Sequence, residues 1–306
     1  MTSSAIETPA ERTVPRRASR RRRVKPSRIG LHALLIVAVL LWASPILWAI
    51  FTAMRPYADT SEHGYVSWPQ HFNFANFTHA YTQSHMLHYF WNSIIISLPA
   101  IFLILLFSSS VAFVVARYSY WFTVPLLVFF MAANLLPQQV VLQPLYRLYL
   151  WLPLPTWLAN SGYFYNSYIG LIAINVAFQT GFCTFVLANY MKTIPSSLSE
   201  AARVDGAGIL RQYFKIILPL CTPALAALAT LEFTFIYNDF LWALILSPDQ
   251  DHQPITTALN NLQGEFFTDN NLLAAGALLT AVPTLLVFVV LQKHFVSGLT
   301  LGAKKG

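Results

Sequence analysis

Lys192–Leu220 reads KTIPSSLSEAARVDGAGILRQYFKIILPL and is the one long polar interval in the middle of a very apolar chain. Apolar runs of more than about 20 residues flank it, so it joins two membrane spans. It is patterned as two short helices with a turn between them. Pro195 suits a first turn, and Ser197 with Glu200 has the S-x-x-E spacing of a capping box. Ala201, Ala202 and Gly206 give a small-residue face, with Ala202 and Gly206 four apart. Asp205-Gly206 and Gly208 supply turn positions. Leu210, Phe214 and Ile217 are spaced for one apolar face of a second helix, and Leu218-Pro219 ends it. Such a hairpin either lies on the bilayer surface or presents a docking surface to a soluble partner.

The remainder of the chain fits a membrane protein. Of 306 residues, 56% are hydrophobic and 10% charged, against roughly a quarter charged in soluble domains. Four further apolar segments complete six spans, near residues 29–54, 88–116, 121–146, 167–191, 221–246 and 272–291. The expected organisation is a disordered basic tail over 1–28, a six-span domain over 29–291 that contains the 192–220 loop, and a tail over 292–306. Pro45, Pro99, Pro137 and Pro283 fall inside spans and predict bent helices.

The charge pattern sets an orientation. With the N-terminus inside, the inside segments 1–28, 117–120, 192–220 and 292–306 hold 9, 1, 4 and 3 Lys or Arg, which is 17 of the 19. Only Arg55 and Arg147 fall outside. This obeys the positive-inside rule and puts both termini and the 192–220 loop in the cytoplasm. The run RRASRRRR at Arg16–Arg23 precedes a membrane anchor, so it reads as a cytoplasmic tail attracted to anionic lipid rather than as a nucleic-acid patch. The apolar segment after it is too long for a secretory signal, and the basic run is too diffuse for a twin-arginine signal.

Chemistry-bearing residues are few. Cys183 and Cys221 lie in or beside apolar spans with no C-x-x-C spacing, and the eight histidines show no metal-ligand pattern. No cofactor or metal is expected. Two acids fall within a span, Glu232 and Asp239. On a continuous helix they share a face about 10 Å apart, too far for most acid/base pairs. Each either makes a structural hydrogen bond or lines a polar path; an ion relay is the alternative. Asn238 sits beside Asp239. Asn134, Gln138 and Gln139 fall in the third span, Asn175 and Gln179 in the fourth, the last pair four apart beside Phe178. Amides next to rings suit sugar binding and also serve as glue between helices.

The 192–220 loop resembles the EAA loop of ABC importer permeases. Glu200, Ala201, Ala202, Gly206, Ile216, Leu218 and Pro219 fill the pattern at the family spacing. FIYNDFLWALIL (Phe235–Leu246) resembles a segment of carbohydrate permeases, with Tyr237 where Trp is common. The tail QKHFVSGLTLGAKKG is similar to the C-terminus of maltose-type permeases.

The resemblance implies an all-α integral membrane protein with the type I ABC importer permease (MetI-like) fold, in a bacterial cell membrane. It implies a subunit of a sugar importer, partnered by an ABC ATPase dimer, a second permease chain and an extracytoplasmic solute-binding protein. It places Glu200, Ala201, Ala202, Asp205, Gly206, Ile216, Leu218 and Pro219 against the ATPase. It also brings Gly298, Leu299, Thr300, Gly302, Lys304, Lys305 and Gly306 to the ATPase interface. Asn134, Asn175, Gln179, Glu232, Asn238 and Asp239 are candidate path residues. The chain carries no Walker A motif, so ATP hydrolysis would lie on the partner. The competing reading is an ion-coupled secondary transporter that uses Glu232 and Asp239.

Overall fold

The computed structural model describes residues 26–118, 120–263 and 268–300; of 26–29, 258, 261 and 293–300 only the backbone is described. The helices in order are α1 (Pro26–Ala53), α2 (Tyr57–His63), α3 (Ala75–Gln83), α4 (Met86–Arg117), α5 (Thr123–Asn134) and α6 (Gln138–Trp151). There follow α7 (Tyr168–Lys192), α8 (Ser197–Val204), α9 (Ile209–Gln212), a π-helical turn Tyr213–Ile217, α10 (Leu218–Leu220) and α11 (Thr222–Tyr237). The last are α12 (Leu241–Leu246), α13 (Ile255–Ala258) and α14 (Asn270–Thr300).

Among the described residues, four helices are long and apolar enough to cross a membrane: Gly30–Ala53, Met86–Arg117, Tyr168–Lys192 and Asn270–Gln292. Two bent helix pairs reach the same length and composition, each either a broken span or a re-entrant loop. α5 and α6 meet at 96°, and the Ile209–Leu220 segment meets α11 at 73°. The expected third span over 121–146 is therefore broken. Pro137 is the N-cap of α6 rather than a residue inside a bent helix, because proline cannot continue the hydrogen-bonded ladder and biases Leu136 away from helix. The fifth span breaks as well: α11 ends at Tyr237, and Asn238–Phe240 separate it from α12. Pro45, Pro99 and Pro283 do lie inside helices.

The chain divides into two compact units, Met1–Trp48 and Ala49–Gly306, at a point inside α1. In the first, no side chain from Gly30 to Trp48 is buried. In the second, α4 and α7 form the central pair. Both run from the end that carries Met86 and Tyr168 to the end that carries Arg117 and Lys192. α11 packs on α14, α4 and α7, and α5 packs on α7. Ile96, Ile104, Leu171, Leu187, Leu228 and Ile236 are among the core side chains.

At the Met86–Tyr168 end the loops are structured. The interval between α1 and α4 folds into α2 and α3. Arg55 is 1% exposed there. Its guanidinium donates to Asp59 Oδ2 and Ser67 Oγ and to the carbonyls of Gly64, Tyr65 and Ser67. Asn271 Nδ2, from α14, donates to the carbonyls of Thr52 and Arg55 and to Thr60 Oγ1. The loop after α12 is tied down by Asn92, whose amide donates to the carbonyls of Asp251 and Gln253 while its Oδ1 accepts from Tyr168. Residues 1–25, expected as most of a disordered basic tail, lie outside the described residues. Pro26–Arg28, expected in the tail, begin α1. The segment from 292, also expected as a tail, continues α14 as helix through Thr300.

Candidate functional site

The 192–220 segment forms the expected helical hairpin, with the turn at 205–208 where it was expected and a different start to the first helix. α8 begins at Ser197 itself. Its N-cap is Ser196, with helical dihedrals and no side-chain cap, so the Ser197–Glu200 capping box does not form. The end of α8 is built more specifically than its start. Gly206 has φ +75°. Its N–H donates to the Arg203 carbonyl at 3.1 Å, and the Ala207 N–H donates to the Ala202 carbonyl at 2.8 Å. These are the paired hydrogen bonds of a Schellman ending, with glycine at the left-handed position. A Cβ on Gly206 would meet no atom within 4 Å. The E-A-A-x-x-x-G spacing thus ends α8 by backbone conformation. Gly206 lies past the helix and is not part of a packing face with Ala202, which is buried.

The second arm splits its apolar residues between two sides. Ile217 is fully buried, whereas Leu210 and Phe214 are 72% and 51% exposed, so the three do not form one face. Ile216 and Leu218 are half-buried and Pro219 exposed. Glu200, Ala201 and Asp205 are exposed on the first arm. The π-turn at Tyr213–Ile217 inserts an extra residue into the helical repeat and shifts its phase. Val204, 89% exposed at the tip of α8, joins Leu210 and Phe214 as apolar groups without cover.

Three polar contacts hold the hairpin, all from residues the motif reading passed over. Buried Gln212 donates Nε2 to the Ala207 carbonyl at 2.8 Å and fixes the turn. The Tyr213 hydroxyl meets Ser109 Oγ at 2.7 Å and Ser110 Oγ at 3.3 Å on α4. Arg117 Nη1, at the end of α4, donates to the Ile194 carbonyl at 3.0 Å. A polar side chain on the inward edge of a short amphipathic helix, as at Gln212, was the signal available for the first of these.

The candidate path residues separate into distinct places. Asn134 ends α5 and lines an open pocket of about 290 Å³ with Gln138, Gln179, Phe178, Phe182 and Phe235. Asn175, one turn from Gln179, is buried and lines a different, narrow cavity with Asp239, Ser93 and Ser97. Asn238 is exposed and donates to the Thr234 carbonyl. Glu232 has no exposed surface. Cys183 Sγ donates to its Oε1 at 3.0 Å, and Oε2 has no partner among the described residues. Asp239 lies in the break after α11, where Oδ1 accepts from the Trp242 N–H at 3.3 Å. The two acids therefore do not share one face of a continuous helix. Gly298–Thr300 lie in α14 with side chains outside the described set, and Gly302, Lys304, Lys305 and Gly306 lie outside the described residues.

Residues 89–300 match the family described as binding-protein-dependent transport system inner membrane component. The diacetylchitobiose uptake system permease protein NgcG of Streptomyces coelicolor is 31% identical over 277 residues, which are 89% of this chain and 87% of that protein. The arabinooligosaccharides transport system permease protein AraQ of Halalkalibacterium halodurans is 30% identical over 285 residues, 91% and 95% of the two chains. Among solved structures, a chain of a bacterial ABC transporter involved in import of the acidic polysaccharide alginate superposes with a TM-score of 0.72. The identity is 19%, over 89% of this chain and 99% of that one.

Proposed function

The chain belongs to the binding-protein-dependent transport system inner membrane components, and from that premise we propose that it is one of two membrane subunits of an ATP-driven sugar importer. The observation that carries the coupling role is the hairpin. Val204, Leu210 and Phe214 project from a polar surface that also bears Glu200, Arg203, Asp205 and Arg211. Apolar side chains grouped on a polar rim suit a protein cleft. Residues 200–219 enter a cleft of a cytoplasmic ATPase, and the contacts from Tyr213 and Arg117 carry its movement to α4. The positive-inside count supports this orientation, with both termini cytoplasmic. ATP hydrolysis lies on the partner, since this sequence has no phosphate-binding loop. By resemblance, the stretch from Gly298 to Gly306 reaches the same partner. Sugar as cargo rests on relatives named for diacetylchitobiose and arabinooligosaccharides.

The test is affinity purification of the tagged chain in mild detergent with identification of what accompanies it. A second permease-like chain and an ATPase are expected. Recovery of the chain alone in several detergents rejects the importer reading. The ion-coupled alternative needs Glu232 and Asp239 to act as a relay, and their separate surroundings, one sealed against Cys183 and one in a helix break, count against it.

A further inference from the structure

The loop between α2 and α3 turns its backbone inward and its apolar side chains outward. The Arg55 guanidinium donates to the carbonyls of Gly64, Tyr65 and Ser67 at 3.3, 3.1 and 3.0 Å. The Asn73 N–H donates to the Met54 carbonyl at 2.9 Å. Val66 and Trp68 are 86% and 82% exposed, and Phe72 and Phe74 are exposed as well. A loop in water has its carbonyls hydrated and needs no buried cation for them. Beside hydrocarbon an unpaired backbone group is costly, and irregular backbone is tolerated only where its polar groups are satisfied within the protein. Asp59 pairs with Arg55 at 3.0 Å, so the cation that serves these carbonyls is itself neutralised.

The rings set the depth. Phe51 is two residues from Ala53, where the apolar span Gly30–Ala53 ends, so it sits about 3 Å of helical rise inside that end. The Trp68 ring lies 6.2 Å from the Phe51 ring, and the Phe72 ring 6.1 Å from it. The loop therefore folds back beside the last turn of the span. Gln70 and His71 are exposed too, and Gln70 Nε2 lies 3.1 Å from His63 Nε2, so the loop also has a polar edge.

We propose that residues 64–74 form a bilayer anchor, lying in the interfacial layer of the leaflet at the Ala53 end. Val66, Trp68, Phe72 and Phe74 face the acyl chains, and Gln70 and His71 face the headgroups. Aromatic rings at the end of a span belong to the interfacial belt. Residues 64–74 contain no Lys, Arg, Asp or Glu, so the attraction is apolar and does not require anionic lipid. A soluble protein docking at this end meets the loops beyond the headgroups; side chains level with the span meet lipid. Such an anchor holds the end of α1 at a fixed depth and constrains the tilt of that span.

The anchor is independent of the importer reading, and its depth is measured directly. The full chain, purified with whatever accompanies it, is placed in liposomes of phosphatidylcholine and phosphatidylglycerol. A nitroxide is attached to Val66→Cys or Trp68→Cys, with Glu62→Cys on α2 as the aqueous reference. Cys183 and Cys221 are fully buried, so the label goes to the introduced thiol. Collision with oxygen, which concentrates in hydrocarbon, is compared with collision with a water-soluble nickel chelate. The oxygen-to-nickel ratio is expected to be severalfold higher at 66 and 68 than at 62. Equal ratios at all three positions place the loop in water and overturn the anchor. Shielding of 66 and 68 from both reagents means that a protein surface covers them, which overturns it as well. Val66 is so exposed that its replacement leaves the loop's packing intact, so position 66 decides the outcome even where Trp68→Cys disturbs the fold.

Discussion

The Tyr213 hydroxyl lies 2.7 Å from Ser109 Oγ, and this contact ties the second arm of the hairpin to α4. The serines have other acceptors: Ser109 Oγ also reaches the Leu105 carbonyl, and Ser110 Oγ donates to the Leu106 carbonyl at 2.7 Å. Tyr213→Phe therefore removes one link without leaving a buried serine unpaired. The expected loss is about 0.5–1.5 kcal/mol. It should appear as a small drop in the melting temperature of the purified complex and a rise in ATP hydrolysed per sugar carried. An unchanged ratio would show that this link transmits no movement.

Gly206 is needed for its dihedral angle, since the space around it is open. Gly206→Val places a β-branched residue at φ +75°, at a cost of about 1–2 kcal/mol or more. It should melt the end of α8 and reduce recovery of the ATPase with the purified chain. Gly206→Asn, which tolerates the left-handed region, should retain most of it. Equal loss in both variants would point to a steric role instead.

Glu200 is exposed and its side chain makes no cap. Glu200→Ala should change stability by no more than about 0.5 kcal/mol yet weaken association with the ATPase. Coupled transport at the wild-type rate in this variant would remove Glu200 from the docking surface.

Arg55 is a stability centre at the other end of the bundle. Arg55→Ala leaves the 8%-exposed Asp59 side chain without its ion pair and strips the Tyr65 and Ser67 carbonyls of a donor. Removal of one partner of a buried pair costs about 3–5 kcal/mol. Thermal unfolding in detergent should show it. Arg55→Lys should recover only part, because an ammonium cannot reproduce the planar fork.

Glu232 separates the two transport readings. Glu232→Gln keeps an acceptor for the Cys183 thiol and a similar volume, so it should insert and transport at close to the wild-type rate, also after collapse of the proton gradient. Glu232→Ala opens a cavity at a fully buried site and should destabilise the chain by about 2–4 kcal/mol. Transport that follows the proton gradient and vanishes in Glu232→Gln would favour the ion-coupled alternative.

Much of this molecule is legible in local sequence. Apolar length gives α1, α4, α7 and α14, because a span needs only enough greasy residues in a row. The hairpin is legible for the same reason: Asp205-Gly206 and the short amphipathic runs act within a turn or two. Other features were decided by tertiary structure. Ile217 is buried while Leu210 and Phe214 are exposed, because a π-turn and the serines of α4 set the phase of that arm. Asn175 and Gln179, one turn apart, face different cavities, and Gln179 meets Asn134 and Gln138 only across a 96° break. Membrane helices are apolar on nearly all sides, so their sequences carry little of the amphipathic phase that would tell which face points inward. The sequence by itself determined the four unbroken spans, the hairpin and its turn at Gly206. The rotation of each span, the direction of each break and the convergence of the amides came only from how the helices pack.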